Sequence, residues 1–79
     1  MRRETAVGKV FRGEKLANVA AEFNRYNPKH IRIEGEVARE KLLSGTFNAD
    51  DPGSLMLFLG KLNDLAVQTR DEEFVIEAR

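Results

Sequence analysis

The sequence contains no cysteine, a single histidine and only two prolines. Without cysteine there is neither a disulfide framework nor a cysteine-based zinc site. That absence is compatible with the cytosol and equally with an export route in which stray thiols are a hazard. A charge excess is also missing: Lys plus Arg and Asp plus Glu each number 13, for a formal net charge of zero. General polyanion binding wants a basic surplus, so nucleic acid is not the expected partner. No apolar run approaches the roughly 20 residues that span a bilayer, and no membrane contact is expected of this domain itself. The opening Met1-Arg2-Arg3-Glu4-Thr5 has basic residues with no apolar stretch behind them, which is not a signal-peptide pattern. A role outside the cytosol would make the chain part of something longer. At 79 residues there is room for one core. We expect a frayed 1–5 and a single domain over 6–79, burying roughly 60–65% of its extended surface and only modestly stable.

What is present centres on Leu16 to Glu34. Leu16, Val19, Ala20, Phe23 and Tyr26 recur at the spacing that lines one helical face, with Lys15, Asn18, Glu22 and Arg25 on the other. Asn27-Pro28 ends that helix, because proline lacks the ladder N–H and pushes its predecessor out of the α region. His30-Ile31-Arg32-Ile33-Glu34 then alternates with period two, Ile31 and Ile33 facing inward. This is the second half of a βαβ unit.

The first half is a strand over Ala6 to Arg12, in which the adjacent Val10 and Phe11 must point to opposite faces. Gly13-Glu14 is expected to turn into the helix, Glu14 suiting the positive helix N-terminus. After a connector at Gly35 to Arg39, with room for one helical turn, a third strand is expected over Lys41 to Phe47. Leu43, Gly45 and Phe47 share one face of it, and the bare Gly45 suggests close approach by a helix. Asp51-Pro52 is a cap followed by a first-turn proline, opening a helix to about Asn63. Leu55, Phe58, Leu59 and Leu62 form its stripe, and Met56 and Leu57 widen the apolar arc enough to want cover on more than one side. Leu65 to Arg70 and Glu73 to Ala78 follow as a hairpin, with Phe74 and Ile76 inward.

Leu16, Val19, Ala20, Phe23 and Asn24 match Leu55, Phe58, Leu59, Leu62 and Asn63 position for position. The chain therefore reads as an α+β fold of two βαβ halves plus a C-terminal strand, β-α-β-β-α-β-β. Pseudo-symmetry predicts that strands one and three pair, and that two and four pair with five added. Two helices then lie between a two-stranded and a three-stranded sheet.

The run Leu16-Ala17-Asn18-Val19-Ala20-Ala21-Glu22-Phe23-Asn24-Arg25-Tyr26-Asn27, with Ile31-Arg32-Ile33 after it, resembles the helix and strand near the C-terminus of FecR-type anti-sigma regulators. Leu43-Ser44-Gly45-Thr46-Phe47, then Asp51-Pro52-Gly53-Ser54-Leu55 and Leu59, resembles the same family's following strand and helix. The similarity covers roughly residues 10 to 77. The wider fold family is the secretin and TonB short N-terminal (STN) domain. What the resemblance implies is a periplasmic signalling domain of an inner-membrane protein involved in cell-surface signalling and iron transport regulation. It would receive the signal from the N-terminal signalling domain of a TonB-dependent outer-membrane transducer, while other parts of the full-length regulator hold a sigma factor. The alternative parents are a TonB-dependent receptor and a secretin, whose first periplasmic domain has this fold. A distant alternative is an RNA-binding ferredoxin-like domain, but the third strand lacks the aromatic, basic-led pattern such readers use.

No enzyme is expected, and no cofactor or metal. His30 heads a strand with no positioned partner for acid–base work. Asp50-Asp51 is too few oxygens for a hard cation, and a helix cap accounts for Asp51. Glu22 and Arg25 read as an exposed pair of little energetic weight, Ser44 and Thr46 have no base, and the six glycines fit no phosphate loop. Phe23 and Tyr26 read as core. Binding is expected instead at an open sheet edge, which can accept a partner strand through main-chain hydrogen bonds. Arg32 and Glu34 on the second strand, and Val75 and Glu77 on the last, are the outward-facing candidates. Val75 is the most telling, being apolar where alternation predicts solvent; the plain reading is ordinary surface with one stray valine.

Overall fold

The computed structural model describes residues 8–79; the predicted frayed end and the first two residues of the predicted first strand, Ala6 and Val7, lie outside them. Along the chain run β1 (Gly8–Lys15), α1 (Leu16–Asn24), β2 (His30–Glu34), α2 (Glu36–Arg39), β3 (Leu42–Asn48), α3 (Pro52–Gly60), β4 (Leu65–Thr69) and β5 (Glu73–Ala78). The architecture is α+β: two βαβ halves and a C-terminal strand, with α1 and α3 between a β1–β3 sheet and a β2–β5–β4 sheet. The connector after β2 supplies the extra helical turn, α2, whose Ala38 is fully buried. No helix among the described residues is long and apolar enough to cross a membrane.

β1 and β3 pair antiparallel, as the repeat predicts. The expected pairing of β2 with β4 does not form. β5 runs between them, parallel to β2 and antiparallel to β4. The reason is the short β4–β5 connection, closed by the Arg70 N–H donating to the Glu73 carbonyl at 2.9 Å. A turn that tight holds β5 beside β4, and on the side nearer β2 its Phe74 and Ile76 enter the core.

β1 continues through the expected turn at Gly13-Glu14. It does so by a register irregularity between Phe11 and Glu14, with Gly13 at φ +58°, a backbone state that glycine adopts without a steric cost. The freed Gly13 N–H donates to Ser44 Oγ at 2.8 Å. Of the adjacent pair, Phe11 is buried and Val10 exposed. α1 starts without a side-chain cap, but the Leu16 N–H donates to the Lys41 carbonyl at 2.7 Å, so one orphan donor of the first turn is met by tertiary contact. α3 has the predicted cap, Asp51 accepting from the Ser54 N–H at 3.4 Å and from Ser54 Oγ at 2.7 Å, with Pro52 in the first turn.

Three packing expectations need correction. Tyr26 is 42% exposed rather than core, because α1 ends at Asn24 and its helical spacing stops with it; the Lys9 ammonium lies 5.9 Å from its ring centre. Gly45 is not approached by a helix. The Phe47 ring folds back over it, Cε2 lying 3.0 Å from where a Cβ would stand, and φ is +146°. The apolar arc of α3 is not covered all round: Leu55, Met56 and Leu59 are buried, while Leu57 is 71% exposed and Phe58 37%. Phe58 ends an aromatic chain that rises from the core, Phe23 to Phe11 at 6.4 Å, Phe11 to Phe47 at 6.3 Å and Phe47 to Phe58 at 5.4 Å.

Candidate functional site

The four residues expected at the binding surface do not share one edge. Arg32 and Glu34 are exposed on β2, an edge strand, but Val75 and Glu77 sit on β5, which has a neighbour on each side and no free edge. Val75 does point away from the core set of Phe74 and Ile76, yet it is 2% exposed. It lies in register between the longer Arg32 and Gln68, and a short side chain flanked so in a middle strand loses its access to solvent. Val75→Asp would therefore bury a carboxylate and would perturb folding as well as binding.

Arg32 is held in place. Its Nε and Nη2 donate to the two carboxylate oxygens of Glu73, each at 3.2 Å, and Nη1 donates to Glu34 at 2.5 Å. The paired Glu73 carboxylate, then Glu34, raises the guanidinium pKa above its ordinary value. Both acceptors come from this chain, so the network is satisfied internally and the pairs are solvent-exposed, where each is worth little.

The backbone along β2 decides what that edge can do. Asn24, the last residue of α1, accepts the Ile31 N–H on its Oδ1 at 2.7 Å and donates Nδ2 to the Ile31 carbonyl at 3.2 Å. Its carboxamide occupies both outward main-chain groups of Ile31 and takes the place of a neighbouring strand. Asn24 also lines the groove between α1 and β2, together with Ala17, Ala20, Ala21, Arg32 and Arg39. Residue-type reasoning missed this role; the Asn24–Asn63 match in the repeat was the available signal.

On the opposite edge, α3 and β4 enclose a larger open groove of about 620 Å³ lined by Gly53, Met56, Leu57, Gly60, Lys61, Val67, Thr69 and Phe74. The over-wide apolar arc of α3 was the sequence signal for it. Elsewhere, His30 is exposed at the head of β2, Asp51 is engaged as a cap, and Glu22 pairs with Lys9 at 3.0 Å and with Arg25 at 3.6 Å. Among the described residues no three His, Asp or Glu side chains gather as metal ligands.

No known protein family's sequence pattern matches the chain, and no curated protein matches it.

Proposed function

We propose that this chain is a protein-binding signalling domain, the periplasmic receiver of an anti-sigma regulator of the FecR type that takes its signal from the N-terminal signalling domain of a TonB-dependent transducer. The observation that supports the reading is the layout itself: two βαβ halves with the last strand inserted, and helices between a two-stranded and a three-stranded sheet. That is the arrangement which the resemblance of the Leu16–Asn27 and Leu43–Leu59 segments implies. A three-stranded sheet also leaves strand edges through which another protein can be gripped by main-chain hydrogen bonds. The domain, on this reading, transmits by contact and transforms nothing.

Titration calorimetry of the chain against purified N-terminal signalling domains of the TonB-dependent transducers of its source organism tests this. One of them is expected to bind with one-to-one stoichiometry. Heat of binding with none of them overturns the assignment.

A further inference from the structure

The three-stranded sheet has two outer edges, and their hydrogen-bonding groups can be assigned strand by strand. In the β4–β5 hairpin the Arg70 N–H bonds the Glu73 carbonyl and the Arg79 N–H bonds the Asp64 carbonyl. Bonded and non-bonded pairs alternate in an antiparallel ladder, so Ala66 and Gln68 face β5, while Leu65, Val67 and Thr69 turn their main-chain groups outward. Leu65 is already engaged, its carbonyl by Arg79 Nε at 2.7 Å and its N–H by the Leu62 carbonyl at 3.5 Å. Among the described residues nothing bonds the N–H and C=O of Val67 and Thr69. On β2 the outward residues are Ile31 and Ile33, and Asn24 closes Ile31. One edge therefore offers two consecutive outward residues and the other only one.

Side chains make the same distinction. β4 reads Leu-Ala-Val-Gln-Thr, with none of the lysine, proline or inward charge that blunts exposed edges. The side chains of Val67 and Thr69 line the α3–β4 groove with Met56, Leu57 and Phe74. Residues opposite one another on paired strands share a face, so a strand laid along β4 would send alternate side chains into that groove. At its rim stands Lys61, which no carboxylate pairs among the described residues, and no acidic residue lines the groove.

We propose that β4 is the docking edge, and that it accepts an extended segment of a partner protein whose groove-facing side chains are apolar apart from one acidic residue opposite Lys61. The spaced donors and acceptors of Val67 and Thr69 select a main chain, the groove selects apolar side chains, and Lys61 selects the acid. A second copy of the chain answers this less well, because its own β4 carries no acidic residue. The inference deepens the proposed function by naming the surface that does the receiving.

Two probes test it: a short synthetic peptide alternating valine and threonine with one glutamate on the valine face, and the same peptide with lysine in place of that glutamate. Amide hydrogen exchange is followed by NMR at Val67 and Thr69, with Ile33 as the reference for the opposite edge. The glutamate peptide is expected to slow exchange at Val67 and Thr69 by about tenfold or more and to leave Ile33 unchanged. It should bind about tenfold more tightly than the lysine peptide, a preference that Lys61→Glu reverses. Leu57→Asp, at a position already 71% exposed, should weaken binding by about tenfold with the folded spectrum retained. Protection at Ile33 instead, protection at Val67 that grows with the chain's own concentration without peptide, or no protection from either peptide overturns the proposal. Failure here is separable from failure of the functional reading. If the peptide seals β4 and no transducer domain binds, the signalling assignment falls and the docking edge stands. If a transducer domain binds and Leu57→Asp and Lys61→Glu leave its affinity unchanged, the docking edge falls and the assignment stands.

Discussion

The two helix–strand units, α1 with β2 and α3 with β4, are copies of one pattern that end in opposite states. Asn24 and Asn63 occupy the same place in the repeat, yet Asn24 reaches Ile31 seven residues on and seals an edge. The same step from Asn63 lands on Arg70, beyond the end of β4. β4 begins two residues after Asn63, whereas β2 begins six residues after Asn24, beyond the turn that Pro28 enforces. The helices differ in kind as well: Ala17 and Ala21 of α1 are matched by Met56 and Gly60 of α3. A repeat can therefore set the scaffold while a connection four residues shorter, counted from the matched asparagines, decides which edge stays available.

The sharpest way to break this comparison is in the core. Phe23 is fully buried, and its repeat partner Leu62 only partly so. Phe23→Ala should cost about 3–5 kcal/mol of unfolding free energy, and Leu62→Ala less than about 2 kcal/mol, read from urea denaturation. Equal costs would mean that the two halves carry the core alike. Next comes the edge itself. Asn24→Ala strips the partners from a half-buried N–H and C=O and should cost about 1–3 kcal/mol, with faster exchange at the Ile31 amide, while Asn63→Ala should stay within about 0.5 kcal/mol. The helix starts differ too: Asp51→Ala should cost about 1 kcal/mol in thermal unfolding, whereas Lys15→Ala at the start of α1, where no side chain caps, should change little.

The smallest effect concerns acid. Lys41 at the head of β3 donates to Asp64 ahead of β4, which lowers the Asp64 pKa below its ordinary 3.8. A depressed carboxyl pKa stabilises the fold fully above the unfolded value and ceases to do so as pH falls through the lower folded value. A slight drop in melting temperature is expected below about pH 3.8, and Asp64→Asn should remove that part of the profile.

Most of the architecture was legible because periodicity and breakers agreed. The spacing of Leu16, Val19, Ala20 and Phe23, the alternation of Ile31 and Ile33 and the Asp51-Pro52 start all appear where they were expected, while α1 stops at Asn24, short of the expected end at Asn27-Pro28. What was not legible depended on three-dimensional neighbours. Gly13 was read as a turn although it sits in a strand, since a bulge and a turn use the same backbone state. The place of β5 was missed because symmetry argues for β2 beside β4 and says nothing of a strand outside the repeat. Val75 was misjudged for a related reason: alternation tells which face a residue takes, and the length of its cross-strand neighbours tells whether that face is wet. Of the four expected contact residues only Arg32 and Glu34 lie on an edge strand, and theirs is the edge with a plug.

That plug has a consequence for how many molecules can gather. A sheet open on both flanks can add neighbours without end, each newcomer offering a fresh flank to the next, which is how filaments begin. With the Asn24 carboxamide standing in for a strand on one flank, growth can proceed from the other flank alone and halts after a single addition. The three-stranded sheet is built with a valence of one.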